Sequence, residues 1–304
     1  VYTPIANDAT RLAALVSGQI DFVLDPSPRD VPRLRNTAGV KVVEGPENRI
    51  VFIGMDQHRD GLLYGSVKDR NPFQDLRVRR ALYHAIDIET IRSKLMNGQS
   101  APTGGLTPSP LGAYNDPQIE ARLPFDLARA RALMAEAGYG DGFEVTLDCP
   151  NNRYVNDEEI CIALATMWSQ LKLRVRVNAM PRSAYFPKLE KFDTSLYMLG
   201  WGGAVTDAET TMTPVLRTPG DKGVGQYNYG RASHPRADAL AAQSTTEADP
   251  AKREQLVRAA LREYRDQVHV LPLHRQFIPW AARSNVEVVH RADNWLEVGW
   301  IHIR

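Results

Sequence analysis

FEVTLDCPNNRYVNDEEICIALATMWSQLKLRVRVNAM, residues 143–180, decides the fold class. FEVTLDC (143–149) sets Val145 and Leu147 between polar neighbours, the two-residue period of a strand. DEEICIALATMWSQLKL (157–173) places Ile160, Leu164, Met167 and Leu171 on one side of a helix. RVRVNAM (174–180) alternates again, as a half-buried strand does. Downstream, SAYFPKLEKF reads as a short helix and SLYMLGW (195–201) as an apolar strand. Strand, helix, strand, helix, strand in that order implies a mixed α/β domain.

Working outward, FDLARARALMAEAGY (125–139) is a helix capped by Asp126, with Leu127, Ala130 and Leu133/Met134 turned inward. GYGDG (138–142) follows that helix and not a strand, so it is a C-cap turn and not a dinucleotide fingerprint. SAPTGGLTPSPLGAYNDP (100–117) is rich in Pro and Gly and reads as an extended surface loop. PFQDLRVRRALYHAI (72–86) and DIETIRSKLMNG (87–98) are two helical stretches, the second ending at Gly98. RIVFIGM (49–55) has the run of β-branched residues expected of a buried strand, with VKVVEG (40–45) and FVLD as shorter strands before it. ATRLAALVSGQ (9–19) is a helix with Asp8 as its N-cap. Towards the other end, DPAKREQLVRAALREYRDQV (249–268) is a helix with Asp249 as cap and Pro250 in the first turn, and VLPLH (270–274) is a strand.

A chain of 304 residues suggests about two domains and is long enough to bury roughly three quarters of its extended surface. Its 37 basic and 36 acidic side chains leave a net charge of +1, so no global field draws in nucleic acid or an anionic membrane. No run approaches ~18 apolar residues, and Val1 opens no signal peptide. The seven histidines are scattered, without an HExxH pair, a GxSxG elbow or a Walker loop. Glu158–Glu159 are adjacent and diverge on a helix, as a solvated face does, while His274–Arg275 could act as a base and an anion clamp but reads more readily as a structural pair at a strand end. Cys149 and Cys161 flank a polar segment between a strand and a helix. Bonded, they would close a short loop and stabilise it by ~3 kcal/mol; unbonded, they are two buried thiols, and spacing leaves both readings open.

What remains suits recognition. LGWGGAVTDAETT (199–211) places Trp201 at a strand end, followed by Gly202 and Gly203, which permit close backbone approach. KGVGQYNYG (222–230) supplies Tyr227, Asn228 and Tyr229, and PRSAYF (181–186) supplies Arg182, Tyr185 and Phe186. Aromatic walls with a few placed polar groups at strand ends make ligand pockets, although such aromatics also build cores.

At these residues the chain resembles the family 5 extracellular solute-binding proteins of bacterial ABC importers. TPIANDATRLAALVSGQIDFV (3–23), NPFQDLRVRRALYHAIDIETI (71–91), LGWGG…DAETT, VGQYNYGRASHPRADAL (224–240) and DPAKREQL…VLPLHRQ are similar to family segments, in the family's order. The resemblance implies a periplasmic-binding-protein-like fold (class II, cluster C), a lobe of mixed sheet flanked by helices plus pieces of a second lobe. It places 1–50 and 275–304 in the N-terminal lobe and 51–274 as the C-terminal ligand-binding lobe, with RIVFIGM and VLPLHRQ as the crossover strands. The chain would be the C-terminal portion of a longer protein.

By the same resemblance it is a periplasmic, monomeric receptor, not an enzyme, without cofactor. It would capture a peptide-like solute between lobes and deliver it to a membrane permease, with no nucleic-acid partner. The implied compartment favours a Cys149–Cys161 disulfide. The implied ligand contacts are Trp201, Gly202, Gly203, Ala204, Tyr227, Asn228, Tyr229, Arg182, Tyr185, Phe186 and Arg275. Ala204 stands where several peptide-binding relatives have an Asp that pairs with the peptide ammonium, while Arg182 and Arg275 suit a ligand carboxylate. The alternative class is an α/β hydrolase, which needs a nucleophile–base pair that the sequence does not display.

Overall fold

The computed structural model describes residues 1–304 except 6, 108–113, 115, 203 and 204. Helix α1 (Asp8–Ser17) is capped by Asn7, not Asp8. The Asn7 side chain accepts from the Thr10 amide at 2.9 Å, while Asp8 lies within the first turn and pairs with Arg11. Strand β1 (Phe22–Leu24) and helix α2 (Val31–Arg35) lead into β2 (Val40–Met55). The two strands expected at 40–45 and 49–55 are therefore one. Both halves pair with the same neighbour, and the polar residues between them are accommodated by a register shift from Pro46 to Ile50.

Helix α3 (Leu76–His84) follows a 3₁₀ turn, Pro72–Gln74, and α4 (Ile88–Thr90) continues as a π-helical turn, Ile91–Leu95. Strand β3 (Ser100–Pro102) and the buried Thr103, Leu106 and Thr107 correct the expectation of a surface loop over 100–117; 108–113 and 115 lie outside the described residues. Then come α5 (Pro117–Glu120), α6 (Leu127–Glu136), β4 (Glu144–Pro150), α7 (Asp157–Ser169), β5 (Arg174–Met180), α8 (Arg182–Leu189) and β6 (Leu196–Gly202). Helix α9 (Glu209–Thr211) runs into a π-helical turn, Met212–Leu216, followed by α10 (Pro235–Thr246) and α11 (Pro250–Asp266). Strand β7 (Leu271–Arg283) extends well past the expected 270–274 because its far half pairs with the first half of β2 and with β1. A small ladder of β8 (Val286–Glu287) and β9 (His302–Ile303) closes the chain.

The main sheet has the order β1-β7-β2-β6-β4-β5, with β3 on β7. Strand β4 is parallel to β5 and β6 and the other pairs are antiparallel, so the sheet is mixed. One face carries a core of Val51, Ile53, Leu147, Leu196 and Met198 against Leu82, Met134, Leu164 and Trp168. The other carries Ile50, Phe52, Tyr197 and Leu199 against Tyr185, Met212, Ala241, Leu261 and Tyr264. A third core, Leu12, Leu15, Val23, Leu34, Val40 and Ala281, joins the first elements of the chain to the far half of β7. Among the described residues no helix is long and apolar enough to cross a membrane.

The polar residues of the 71–91 stretch are architectural. Asn71 donates to the carbonyls of Asp56 and Arg59 at 2.7 and 2.9 Å, and Asp75 caps α3. Arg79 is buried and donates to the carbonyls of Phe73, Gln74 and Gln267, tying the start of α3 to the end of α11.

Candidate functional site

Between β4 and α7 the chain makes a six-residue excursion, 151–156, whose stems are fixed by the Cys149–Cys161 disulfide. The loop is held from inside by Asp157, whose carboxylate accepts from the amides of Arg153, Tyr154 and Glu158 at 2.9, 3.0 and 3.1 Å. The Asn151 amide donates to Met180 O, and the Val155 amide donates to the Gln276 side chain at 3.1 Å. Tyr154 lies flat against β6, where its hydroxyl donates to Gly200 O at 3.3 Å. A Cβ on Gly200 would stand 2.5 Å from the Tyr154 ring, so glycine is required there by the tyrosine.

Across from this loop lie Asp8 and Arg11 of α1, the turn Asp25–Pro28, and Asn294. Glu47 and Arg49 of β2 and Gln276 of β7 form the floor, and the whole encloses a cleft of about 480 Å³. Glu47 is buried, ion-paired to Arg49 at 3.0 Å and hydrogen-bonded by the Gln276 amide at 2.7 Å. Arg49 and Arg153 both approach the Tyr154 ring, at 5.9 and 5.1 Å from its centroid. Burial, and next the like charge of Arg49, hold the Arg153 guanidinium below its usual pKa. Burial raises the Asp25 carboxyl, against the lowering effect of a hydrogen bond from Asn294; nearby Glu47 raises it further.

None of the described residues singled out by the sequence is among those that line this cleft, and most face inward. Trp201 is half-buried; its Nε1 donates to Thr210 O at 2.9 Å and its ring leans on Tyr227 at 4.8 Å. Tyr229 is buried, edge-on to Tyr197 at 5.9 Å. Asn228 is buried and braces its own turn, donating to Arg217 O and Ala232 O at 3.0 and 2.9 Å. Tyr185 is fully buried, donating to Met198 O at 2.5 Å, with Phe186 edge-on at 5.5 Å. The aromatics are thus brought together as part of the second core.

Gly202 faces Arg49 in the β2 pairing, and a Cβ there would lie 3.2 Å from Arg49 Cα, so the neighbouring strand already uses the space. Gly203 and Ala204 lie outside the described residues. Arg182 is exposed, and its amide donates to Asn152 of the cleft loop at 2.8 Å. Arg275 is buried and ion-paired with Glu120 at 3.2 Å, and its backbone pairs with Ile50, whose partner on the other side is Trp201. Sequence reasoning missed Asp25, Glu47, Arg49, Arg153, Tyr154 and Gln276. The usable signal was NNRY just past the end of a strand, in the segment bounded by the two cysteines.

The family model of the bacterial extracellular solute-binding proteins, family 5 (middle), matches residues 1–223. Heme-binding protein A of Haemophilus influenzae is 26% identical over 243 residues, covering 79% of this chain and 42% of that protein. The probable deoxycholate-binding periplasmic protein YgiS of Escherichia coli is 27% identical over 279 residues, 90% of this chain and 49% of that one. The ABC transporter-associated periplasmic binding protein DppA of Helicobacter pylori, solved with the peptide STSA, superimposes with a TM-score of 0.84 at 16% identity, over 98% of this chain and 56% of that one. The chain spans about half the length of the curated relatives it matches.

Proposed function

The chain belongs to the family 5 bacterial extracellular solute-binding proteins, and from that premise we propose that it is the solute-capturing part of an ABC importer's receptor, working in the periplasm as a monomer. In this reading 51–274 is the C-terminal ligand-binding lobe, 1–50 and 275–304 belong to the N-terminal lobe, and the solute is held between them before delivery to the membrane permease. The observation that carries it is the cleft itself. Its walls come from different cores, the α1 and Asp25–Pro28 side on one hand and the disulfide-bounded Asn151–Asp157 side on the other. Closure of one wall on the other is the motion by which such two-lobed proteins enclose ligand.

The relatives are named for heme and deoxycholate and one solved structure holds a peptide, a span of unlike solutes. A polar floor, a tyrosine face and a guanidinium suit a peptide-like solute, with Arg153 and Tyr154 as the contacts on the larger wall. Trp201 and Gly202 border the site through their pairing with Ile50 and Arg49. No observation in the family or the fold favours the hydrolytic alternative. Native mass spectrometry of the full-length receptor purified without denaturation tests this: one small solute retained at about one per protein is expected. Turnover of a peptide library into products would contradict it.

A further inference from the structure

The two long strands lose their register at one place. β2 pairs with β7 as far as Pro46 opposite Phe277 and resumes at Ile50 opposite Arg275. Glu47, Asn48 and Arg49 therefore stand against one residue, Gln276, and such a bulge bends a strand and interrupts its ladder. It falls where both strands pass from the smaller core to the larger ones. Glu47 and Gln276 are buried there. The Glu47 carboxylate accepts from Arg49 Nε at 3.0 Å on one oxygen and from Gln276 Nε2 at 2.7 Å on the other. A carboxylate ion-paired to an arginine only accepts, so Gln276 must turn its NH2 to Glu47 and its oxygen away. That oxygen accepts from the Val155 amide of the cleft loop at 3.1 Å. The preceding amides, of Arg153 and Tyr154, are held instead by Asp157 inside the larger wall.

Resting on the reading of this cleft as the solute site, we propose that Gln276 is a positioning residue that couples the bend between the walls to the order of the cleft loop. When β2 turns against β7 at the bulge, Glu47 travels with one strand and Gln276 with the other. Leaving the buried carboxylate short of a donor is costly, whereas the amide of Val155, a half-buried loop residue, can turn to water. Gln276 therefore follows Glu47 and releases Val155. The loop then keeps its anchors on Asp157, Met180 and Gly200 but loses its tie to β7. At the wall angle described here both bonds of Gln276 form together, and the Tyr154 ring, one residue from Val155, is held beside Arg49 of the floor. The wall that meets the solute is thus assembled by closure, which makes Gln276 a determinant of how long a solute stays.

Residue-resolved amide exchange in the full-length receptor tests the coupling. Val155 should exchange about tenfold faster in Gln276→Leu than in the wild type, with Arg153 and Tyr154 little changed, because Asp157 still holds them. The double exchange Glu47→Gln with Gln276→Glu reverses the polarity of the pair. Its relocated carboxylate can accept from Val155 and from the facing amide together, so protection should return. A second measurement leaves the relay itself intact. Arg29 and Glu159, both well exposed, form an ion pair between the walls at 3.7 Å. Arg29→Cys with Glu159→Cys, joined by a short bismaleimide, holds the walls together without any solute. Cross-linking should slow Val155 exchange several-fold, and should not do so when Gln276→Leu is also present. Val155 exchange that is indifferent to Gln276→Leu, or to the cross-link, would overturn the coupling. The solute-site reading is judged separately, by the solute retained in native mass spectrometry: an empty receptor with the coupling intact would overturn that reading alone.

Discussion

Strands β2 and β7 run through both walls of the cleft, and what packs on them changes from one end to the other. From Ile50 onwards β2 is covered on both faces, with Trp168, Tyr185, Tyr197 and Tyr264 all buried to within 2% of completely. Before Pro46 the same strand packs on a smaller core of Leu12, Leu15, Val23, Leu34, Val40 and Ala281, with Trp280 buried against Phe22, while Trp295, Val298 and Trp300 remain 65%, 74% and 48% exposed. Within this chain the larger wall therefore carries its own hydrophobic stabilisation, whereas the segments 1–50 and 275–304, proposed to belong to the N-terminal lobe of a longer receptor, bury less against one another. In the isolated chain, local opening should therefore begin on the smaller side.

Two truncations should separate the two sides. Trp168 is fully buried and its indole N–H donates to Leu82 O at 2.9 Å; Trp168→Ala should cost about 4 kcal/mol and lower the melting temperature of the whole chain. Leu12→Ala, in the small core, should cost about 2–3 kcal/mol and chiefly speed amide exchange in α1 and β1, leaving β4–β6 protected. Equal global unfolding by both would show that the walls are not independent in stability.

Acid sharpens the same contrast, because His234, His269 and His274 are all set against the larger cores. Burial holds His234 down to about 4 and His274 to about 3, with His269 well below its ordinary value. The unfolded chain takes up these protons first, near pH 6.5, so their contribution to stability is complete above that value. It is lost as pH falls towards the folded values, at up to about 1.4 kcal/mol per pH unit for each histidine. Denaturant titrations at pH 7, 6 and 5 should show this decline, and His274→Leu should flatten it. An unchanged slope in that variant would remove His274 from the account.

A comparable effect, confined to one loop, is expected at the disulfide. Replacing Cys149 and Cys161 together by Ala should cost about 3 kcal/mol on the loop-entropy argument. Thiol titration of the denatured, unreduced protein should find no free thiol. In the variant, trypsin should cut after Arg153 faster than at other arginines, since the stems of the cleft loop are no longer tied. Uniformly faster cutting would mean that the bond supports the large core in general and not the loop.

What could be read from the sequence follows the same division. The 143–180 stretch was legible because β4, α7 and β5 each bury one face, and burial of one face writes a period into the residues. The union of 40–45 with 49–55, the extension of β7 to Arg283, and β3 were not, since they depend on backbone pairing with distant strands. Helix α10 passed unnoticed because it packs through Ala237, Ala241 and Ser244, which leave almost no hydrophobic stripe. The Trp201, Tyr227 and Tyr229 signal was genuine as a cluster, but aromatics with good ring neighbours serve a core as readily as a pocket. Asp25 and Arg153 are single charges far apart in the chain, and only the fold sets them across one cleft.

The most direct test of that cleft is a crystal structure of the full-length receptor with the solute it carries through purification. The account predicts density between the Asp25 turn and the Arg153–Tyr154 loop, over the Glu47–Arg49 floor. Density seated instead on the polar face of β4 and β5, by Thr146, Arg176 and Asn178, with the cleft walls apart, would contradict it.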